Sequence, residues 1–363
     1  MGDEGEKTKM RSTVVCVTGG AGFIGSWLVR KLLARGCVVH ATLRSLEDDK
    51  KAALLRSLPG AAERLRLFQA DMYDADTFEP AIAGCEFVFL VATPLLHDPT
   101  STKYKNTTEA TVDAARIILG QCERSGTVKR VIHTASVTAA SPLTEDGSGY
   151  KDIINESCWT PLNLSYGFSN AYMDAYVWSK SLSEKELLGY NESPEPRAFE
   201  VVSLACGVTG GDTIHPQLWG TIPILVSPLT GDAANHTFLL FLQALLGSVP
   251  VAHVEDVCEA HAFCMDQPSM AGRFLCAAGY PNLRDILDHF AAKFPELGIR
   301  LEQVTGEGVR VRADTSKLEE DLGLRYGVEE TLDASVECAK RGHLKHGVCL
   351  FLRPASAANL CFE

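Results

Sequence analysis

The stretch Thr18-Gly19-Gly20-Ala21-Gly22-Phe23-Ile24-Gly25 follows a short apolar run at 13–17 and opens a segment with helical spacing at 23–34. Its glycines at 19, 22 and 25 form a G-x-x-G-x-x-G pattern between a predicted strand and a predicted helix. A bound dinucleotide needs a tight turn, a backbone that approaches the pyrophosphate closely, and the amides of a helix N-terminus. The position of the triplet after the first strand therefore predicts a dinucleotide site.

Strand-like and helix-like segments alternate through the first half of the chain, as expected of a doubly wound parallel sheet. Further strands are predicted at 37–43, 64–69, 86–92, 128–134 and 199–205, and long helices at 104–122 and 171–188. After residue 210, helices are predicted at 237–246, 255–266, 284–294 and 315–322, and a strand at 249–253. We predict an α/β fold of the Rossmann type, with a nucleotide-binding domain at 10–210 and a smaller α/β substrate lobe at 211–344. Parts of 248–267 are expected to return to the first domain, and 345–363 to form a disordered tail.

Composition and charge exclude several classes of protein. The 363 residues carry 34 Lys and Arg against 46 Asp and Glu, a formal charge of −12, which argues against nucleic acid as a partner. No apolar run approaches the roughly 20 residues that a bilayer crossing needs, and residues 1–10 lack the apolar core of a signal peptide. The twelve cysteines are scattered without a C-x-x-C pair. We therefore expect a cytoplasmic protein with buried free thiols.

The end of the second predicted strand indicates which dinucleotide is bound. NAD-binding folds usually place Asp or Glu there to hold the ribose hydroxyls, whereas this chain has Arg44, whose planar fork suits a 2′-phosphate. Lys50 and Lys51 follow on the next segment, although intervening acidic residues also fit a solvated surface cluster. We predict NADPH. Asp71, after the third strand, is either an adenine contact or a simple turn residue.

Tyr176 is the only one of nine tyrosines with a lysine four residues later, Lys180. On a helix this spacing puts both side chains on one face, and the ammonium is expected to lower the pKa of the phenol. Ser136 ends the fifth predicted strand, at the carboxyl edge where such sheets bind ligands. These residues predict a reductase in which Ser136 holds a carbonyl and Tyr176 protonates it as hydride arrives.

With these residues in place, the chain resembles an extended short-chain dehydrogenase/reductase over about residues 12–344. Further stretches resemble the plant dihydroflavonol 4-reductase, anthocyanidin reductase and cinnamoyl-CoA reductase group: VATP at 91–94, VKRVIHTAS at 128–136, ESCW at 156–159 and AHVEDV at 252–257. The resemblance implies a catalytic triad of Ser136, Tyr176 and Lys180. It implies cofactor contacts from Gly19, Gly22, Phe23, Ile24, Gly25, Arg44, Lys51, Asp71, Met72, Val91, Ala92, Thr93, Tyr176, Lys180, Ala205 and Val208.

Departures from the group's motifs limit the substrates that we expect. The stretch 174–180 differs from the cinnamoyl-CoA reductase pattern, which disfavours a CoA thioester. Ser141 replaces the Asn or Asp with which dihydroflavonol reductases grip the substrate, and Ala205-Cys206 replaces the usual Pro-Thr beside the nicotinamide. With Ser136, Ser141 and Tyr176 as substrate contacts, we predict reduction of the 4-ketone of a flavonoid, a flavanone or dihydroflavonol, to the 4-hydroxyl.

Several alternatives stay open. Anthocyanidin reduction is the first, followed by a cinnamoyl-CoA-type reductase, a non-catalytic NADP-binding regulator and a sugar-nucleotide epimerase on the same sheet. The aromatic residues Tyr166, Phe168 and Tyr172 line a substrate pocket or pack in the core. No metal is predicted, because the polar residues at 253–261 lack the spacing of a tetrahedral site.

Overall fold

Seven parallel strands form the central sheet of the computed structural model, which describes residues 12–194, 196–306, 309 and 311–342. In chain order, the strands of the central sheet and of two smaller sheets are β1 (Val14–Val17), β2 (Val38–Leu43), β3 (Leu65–Gln69), β4 (Phe87–Leu90), β5 (Arg130–Ser136), β6 (Ile153–Ile154), β7 (Glu200–Cys206), β8 (Val208–Gly210), β9 (Val251–His253), β10 (Gly272–Cys276) and β11 (Arg312–Ala313).

The α-helices are α1 (Phe23–Ala34), α2 (Asp49–Arg56), α3 (Ala61–Arg64), α4 (Glu79–Ile82), α5 (Thr107–Ser125), α6 (Ala171–Gly189), α7 (Ile222–Leu225), α8 (Ser227–Thr230), α9 (Ala233–Leu246), α10 (Val254–Asp266), α11 (Leu283–Lys293), α12 (Ser316–Leu322) and α13 (Val328–Gly342). Short 3₁₀ turns lie at Ala75–Phe78, Val137–Ala139 and Tyr190–Glu192.

The strand order in the central sheet is β10-β7-β5-β4-β1-β2-β3, and each neighbouring pair is parallel. The order reverses between β1 and β4, which opens a crevice at the carboxyl ends of these two strands. The predicted α/β fold of the Rossmann type is confirmed. Two short parallel pairs, β11 with β6 and β8 with β9, form separate sheets outside the central one.

Both faces of the central sheet are covered, which explains the unbroken apolar runs of its strands. On β1, Val15 and Val17 pack into the core cluster that holds α1 and α10, whereas Cys16 packs into the cluster that holds α5. Ion pairs from Lys31 to Glu259 and from Arg35 to Asp266 join α1 to α10. Helix α1 is thereby held against α10 at the end opposite the glycine-rich turn.

The second half of the chain supplies the last strand of the central sheet. Strand β10 pairs with β7 over Gly272–Cys276, which lies beyond the stretch 248–267 that was expected to return. Within that stretch, β9 pairs with β8 in a separate sheet and α10 packs on α1. Helix α13 is absent from the sequence prediction, although Leu332, Val336 and Ala339 recur at helical spacing and are buried.

Helix boundaries differ from the prediction where a capping side chain decides them. Helix α5 begins at Thr107 because Asn106 accepts a hydrogen bond from the amide of Glu109 at 2.9 Å. Helix α9 begins at Ala233, since Asp232 accepts from the amides of Ala234 and Asn235. The capping side chain, rather than the apolar spacing, therefore decides at which residue each of these helices begins.

The remaining predictions on thiols, membrane and tail have mixed outcomes. All cysteines of the described ranges are buried free thiols, as predicted. Among the helices of those ranges, none combines the length and the apolar character that a membrane crossing requires. The predicted disordered tail at 345–363 lies outside the described residues.

Candidate active site

The glycine-rich turn joins β1 to α1 at the carboxyl edge of the sheet. Gly19 has φ +64°, a left-handed conformation that favours glycine, and its carbonyl accepts from the amide of Gly22 at 3.0 Å. A Cβ on Gly25 would lie 2.2 Å from the Gly19 carbonyl oxygen, so only glycine fits there. The first hydrogen bond of α1 runs from Ser26 N to Gly22 O. The amides of Phe23, Ile24 and Gly25 precede it and can receive an anion, so the turn fits a dinucleotide pyrophosphate.

The predicted adenosine contacts lie at the ends of β2 and β3. Arg44 directly follows β2 and is exposed, and Lys51 lies in the first turn of α2, 3.7 Å from the Asp48 carboxylate. Asp71 accepts from the amide of Tyr73 at 2.9 Å, and Met72 is buried beside it. This hydrogen bond shapes the turn after β3, and the contact of Asp71 with adenine stays a prediction. The cations and the turn lie on the same side of the crevice, where a 2′-phosphate would be held.

The segment after β4 links the turn to the catalytic group. The amides of Val91 and Ala92 both donate to the Thr18 hydroxyl at 2.9 Å. Thr93, predicted as a cofactor contact, accepts a hydrogen bond from Lys180 Nζ at 2.8 Å. One loop therefore positions both the start of the glycine-rich turn and the ammonium of Lys180.

Ser136, Tyr176 and Lys180 come together at the carboxyl edge of the sheet. Ser136 is the last residue of β5, and its hydroxyl accepts from the amide and the hydroxyl of Thr138 at 3.2 and 2.9 Å. It also lies close enough to the phenol of Tyr176, on α6, to lower the pKa of that phenol. Lys180, one turn further along α6, donates to the Thr134 carbonyl at 2.9 Å. The arrangement presents a hydroxyl, a phenol and an ammonium to one space.

The titration behaviour of this group corrects one prediction. Burial raises the pKa of Tyr176, and the hydrogen bond with Ser136 offsets only part of the rise. Burial also lowers the pKa of Lys180 to about 8. The expectation that Lys180 brings the pKa of Tyr176 below its usual value is therefore wrong for this structure, because removing the phenolate from water outweighs the other contributions.

Two predicted contacts are completely buried. Ser141 is completely buried, with its hydroxyl donating to the Leu245 carbonyl and accepting from Leu143 N at 3.1 Å. Its predicted role as a substrate contact is contradicted, because no surface or hydrogen-bond donor remains. Ala205 is likewise completely buried, in the cluster with Ala135. Residues on a strand alternate between faces, and the neighbouring Cys206 is among the groups that raise the pKa values of Tyr176 and Lys180.

The aromatic residues at 166–172, just before α6 and in its first turn, differ in their surroundings. Tyr166 is buried and donates to the Pro161 carbonyl at 2.6 Å, which makes it a core residue. Burial and the neighbouring Tyr176 raise the pKa of Tyr172, so the two phenols lie close together. Phe168 is 39% exposed and has φ +61°, the only such non-glycine residue in the described ranges. This left-handed backbone lies three residues before α6, which carries Tyr176 and Lys180. Val208, predicted as a cofactor contact, is buried at the start of β8.

The polar residues of 253–261 have structural partners. His253 caps α10 by accepting from the amide of Glu255 at 3.2 Å, and Asp256 accepts from the amides of Arg325 and Tyr326. His261 hydrogen-bonds the Thr134 hydroxyl at 2.7 Å. Across the described ranges, no three His, Cys, Asp or Glu side chains are grouped so that they could hold a metal ion.

The sequence prediction missed a buried ion pair behind the catalytic helix and a segment over the glycine-rich turn. Glu184 follows Lys180 by four residues and pairs with Arg273 of β10 at 2.8 Å. The four-residue spacing indicates only that Glu184 lies on the same helix face as Lys180. The segment at 211–221 brings His215 to the turn, and no local pattern marks that contact.

Comparisons with known proteins agree with this geometry. The model of the NAD dependent epimerase/dehydratase family matches residues 15–274. An anthocyanidin reductase of Vitis vinifera is 30% identical over 90% of this chain and 94% of its own length. The dihydroflavonol 4-reductase of Zea mays is 30% identical over 90% of this chain and 89% of its own. The crystal structure of vestitone reductase from alfalfa (Medicago sativa) matches with a TM-score of 0.70 at 30% identity, covering 90% of this chain and 98% of that one.

Proposed function

This chain belongs to the NAD dependent epimerase/dehydratase family, as its motifs predicted, and we propose that it is an NADPH-dependent reductase of a flavonoid ketone. The observation that carries the proposal is the meeting of Ser136, Tyr176 and Lys180 at the carboxyl edge of the sheet, next to the glycine-rich turn. A hydroxyl, a phenol and an ammonium in one space are the groups that carbonyl reduction requires of a protein.

NADPH supplies the hydride when bound. The amides at the start of α1 hold its pyrophosphate, Arg44 and Lys51 hold the 2′-phosphate, and Asp71 and Met72 contact the adenine. The cation at the end of β2, in place of the carboxylate that binds NAD, supports NADPH over NADH.

The protonation states favour the reductive direction at neutral pH. Burial raises the pKa of Tyr176, so the phenol carries its proton and can donate it to a ketone oxygen. Ser136 holds that oxygen through its hydroxyl. The pKa of Lys180 is about 8, so the side chain is mainly an ammonium at pH 7 and stabilises the phenolate that proton donation leaves.

The proposed reaction converts the 4-ketone of a flavanone or dihydroflavonol to the 4-hydroxyl. The catalytic group delivers one proton to one carbonyl oxygen, and a relative covering nearly the whole chain is named dihydroflavonol 4-reductase. Because Ser141 is buried away from the site, it does not favour flavanones over dihydroflavonols. Both substrates remain within the proposal.

Anthocyanidin reduction is the second candidate, supported by the Vitis vinifera relative. NADPH oxidation measured with naringenin, dihydroquercetin, cyanidin and a cinnamoyl thioester separates the candidates. Turnover of either 4-ketone with a 4-hydroxyl product supports the proposal. Turnover of cyanidin alone would favour the second candidate, and NADPH binding without any turnover would favour a regulator.

A further inference from the structure

The segment 211–221, between β8 and α7, covers the glycine-rich turn. Gly220 has φ +65°, and a Cβ there would lie 2.3 Å from the Phe23 ring, so the segment touches the first residue of α1. Its other end is fixed by a hydrogen bond from Gly211 N to Ser335 Oγ at 2.8 Å. We call residues 211–221 the strap.

His215 is the polar side chain that the strap brings to the turn. The residue is only 9% exposed, and its ring stacks on Trp219 with centroids 4.7 Å apart and planes 11° apart. Its Nε2 has no hydrogen-bond partner within the described part of the chain. Buried polar atoms nearly always have a partner, so this nitrogen points to a ligand.

The surroundings of His215 identify the chemistry of that ligand. Burial lowers the pKa of His215, the backbone of Gly22 and Ala21 raises it, and the charge of Lys51 on α2 lowers it. These groups therefore lie near the imidazole. The amides at the start of α1 lie on the same turn. An N–H donor, helix amides and a cation together suit a phosphate group.

We propose that His215 is a phosphate-binding residue of the nucleotide site, whose imidazole donates a hydrogen bond to the pyrophosphate of the dinucleotide. The pyrophosphate is preferred to the 2′-phosphate because the ring lies near Ala21 and Gly22, whereas Arg44 and its neighbours follow β2. Stacking on Trp219 limits rotation of the ring, which reduces the entropy lost on binding. The inference rests on the proposed use of a dinucleotide cofactor.

The test is calorimetric titration of the full chain with NADP⁺ and with NAD⁺. His215→Phe keeps a ring on Trp219 but removes the donor, and we expect it to weaken both ligands by about tenfold. His215→Gln keeps an N–H donor and should retain most of the affinity. His236→Phe is the matched control, because His236 is also buried with an unpaired ring nitrogen but hydrogen-bonds Gln303 in another part of the fold.

Each outcome decides the inference. Unchanged affinity of His215→Phe for both ligands overturns it, and a loss confined to NADP⁺ overturns the assignment to the pyrophosphate. If His215→Phe does not fold, as judged by thermal melting without nucleotide, His215→Leu is measured against the same expectation. An unaltered protein that binds neither dinucleotide would refute the proposed function together with the inference, whereas normal binding by the His215 variants refutes the inference alone.

Discussion

Arg273 and Glu184 form a two-pronged ion pair in the core, with Nε 3.0 Å from Oε1 and Nη2 2.8 Å from Oε2. Arg273 lies on β10 and Glu184 on α6, one turn after Lys180, so the pair joins the last strand of the sheet to the catalytic helix. Arg273 also packs against the Trp159 ring, 4.0 Å from its centroid. Each charge is stabilised by the other, because both side chains are almost completely buried.

Glu184→Gln should therefore destabilise the protein by about 3 kcal/mol, since it leaves the Arg273 charge buried and unpaired. Denaturant unfolding measures the change. Glu186→Gln, on the same helix, is the control: it breaks the exposed pair with Arg116, whose side chain is 60% exposed, and should cost at most about 1 kcal/mol. Equal losses in both variants would contradict the importance of burial.

Tyr176→Phe should lower the turnover rate by at least about a hundredfold, because the group that protonates the carbonyl oxygen is lost. Its affinity for NADP⁺ should be unchanged. Tyr172→Phe removes the neighbouring phenol and should retain most of the activity. Turnover and calorimetric binding, measured on both variants, check the prediction, and a Tyr176→Phe enzyme with near-normal rates would disprove the acid assignment.

The reduction rate should fall as the pH rises through about 8, the pKa to which burial lowers Lys180. The rate falls, rather than rises, with pH because the pKa of Lys180 is lowered: its ammonium is present below about pH 8 and is lost above it. Tyr176, whose pKa is raised, keeps its proton over this range. A kcat/KM profile against pH tests this. Lys180→Arg should move the fall to higher pH, since guanidinium stays charged. A profile that is flat to pH 10 would rule the mechanism out.

Arg44→Ala should weaken NADP⁺ binding by at least about tenfold and leave NAD⁺ binding nearly unchanged, because a charge-assisted contact to the 2′-phosphate is lost. Arg56→Ala removes another exposed cation, at the far end of α2, and should change neither affinity. The ratio of the two dissociation constants is the measurement. A proportional loss for both dinucleotides would argue for a general electrostatic effect instead.

Gly25→Ala should abolish dinucleotide binding and destabilise the fold by about 1–3 kcal/mol, because its Cβ would meet the Gly19 carbonyl. Gly189→Ala at the end of α6 is the control, since a Cβ there meets nothing within 4 Å. Thermal melting and nucleotide titration of both variants test the difference. A Gly25→Ala protein that binds normally would show that the turn adjusts.

The sequence predicted those parts of the fold and site that depend on neighbours along the chain. The strand–turn–helix around Gly22 and the four-residue spacing of Tyr176 and Lys180 are local patterns, and the structure has both. The burial that sets the pKa of Tyr176 is a property of the whole fold, so its direction was predicted wrongly. Ser141 was assigned as a substrate contact from the resemblance to dihydroflavonol reductases, but its hydroxyl donates to the Leu245 carbonyl of α9 instead.

The contact of His215 with the glycine-rich turn was not predictable for the same reason. Nearly two hundred residues separate them, and the histidine stands in an irregular stretch without hydrophobic periodicity. Strand β10 is a similar case: its five residues resemble many short apolar runs, and only pairing with β7 assigns them to the sheet. Tertiary contacts of this kind leave no local signal.

The late arrival of β10 has a consequence for biosynthesis. During translation, β7 emerges well before its outer partner, so the nascent sheet presents an unpaired edge until residue 276 has left the ribosome. Exposed edges of parallel sheets recruit other chains, and distant pairings form slowly. Polypeptides cut short before Gly272 should therefore aggregate, and the full-length chain should need chaperones most during this interval.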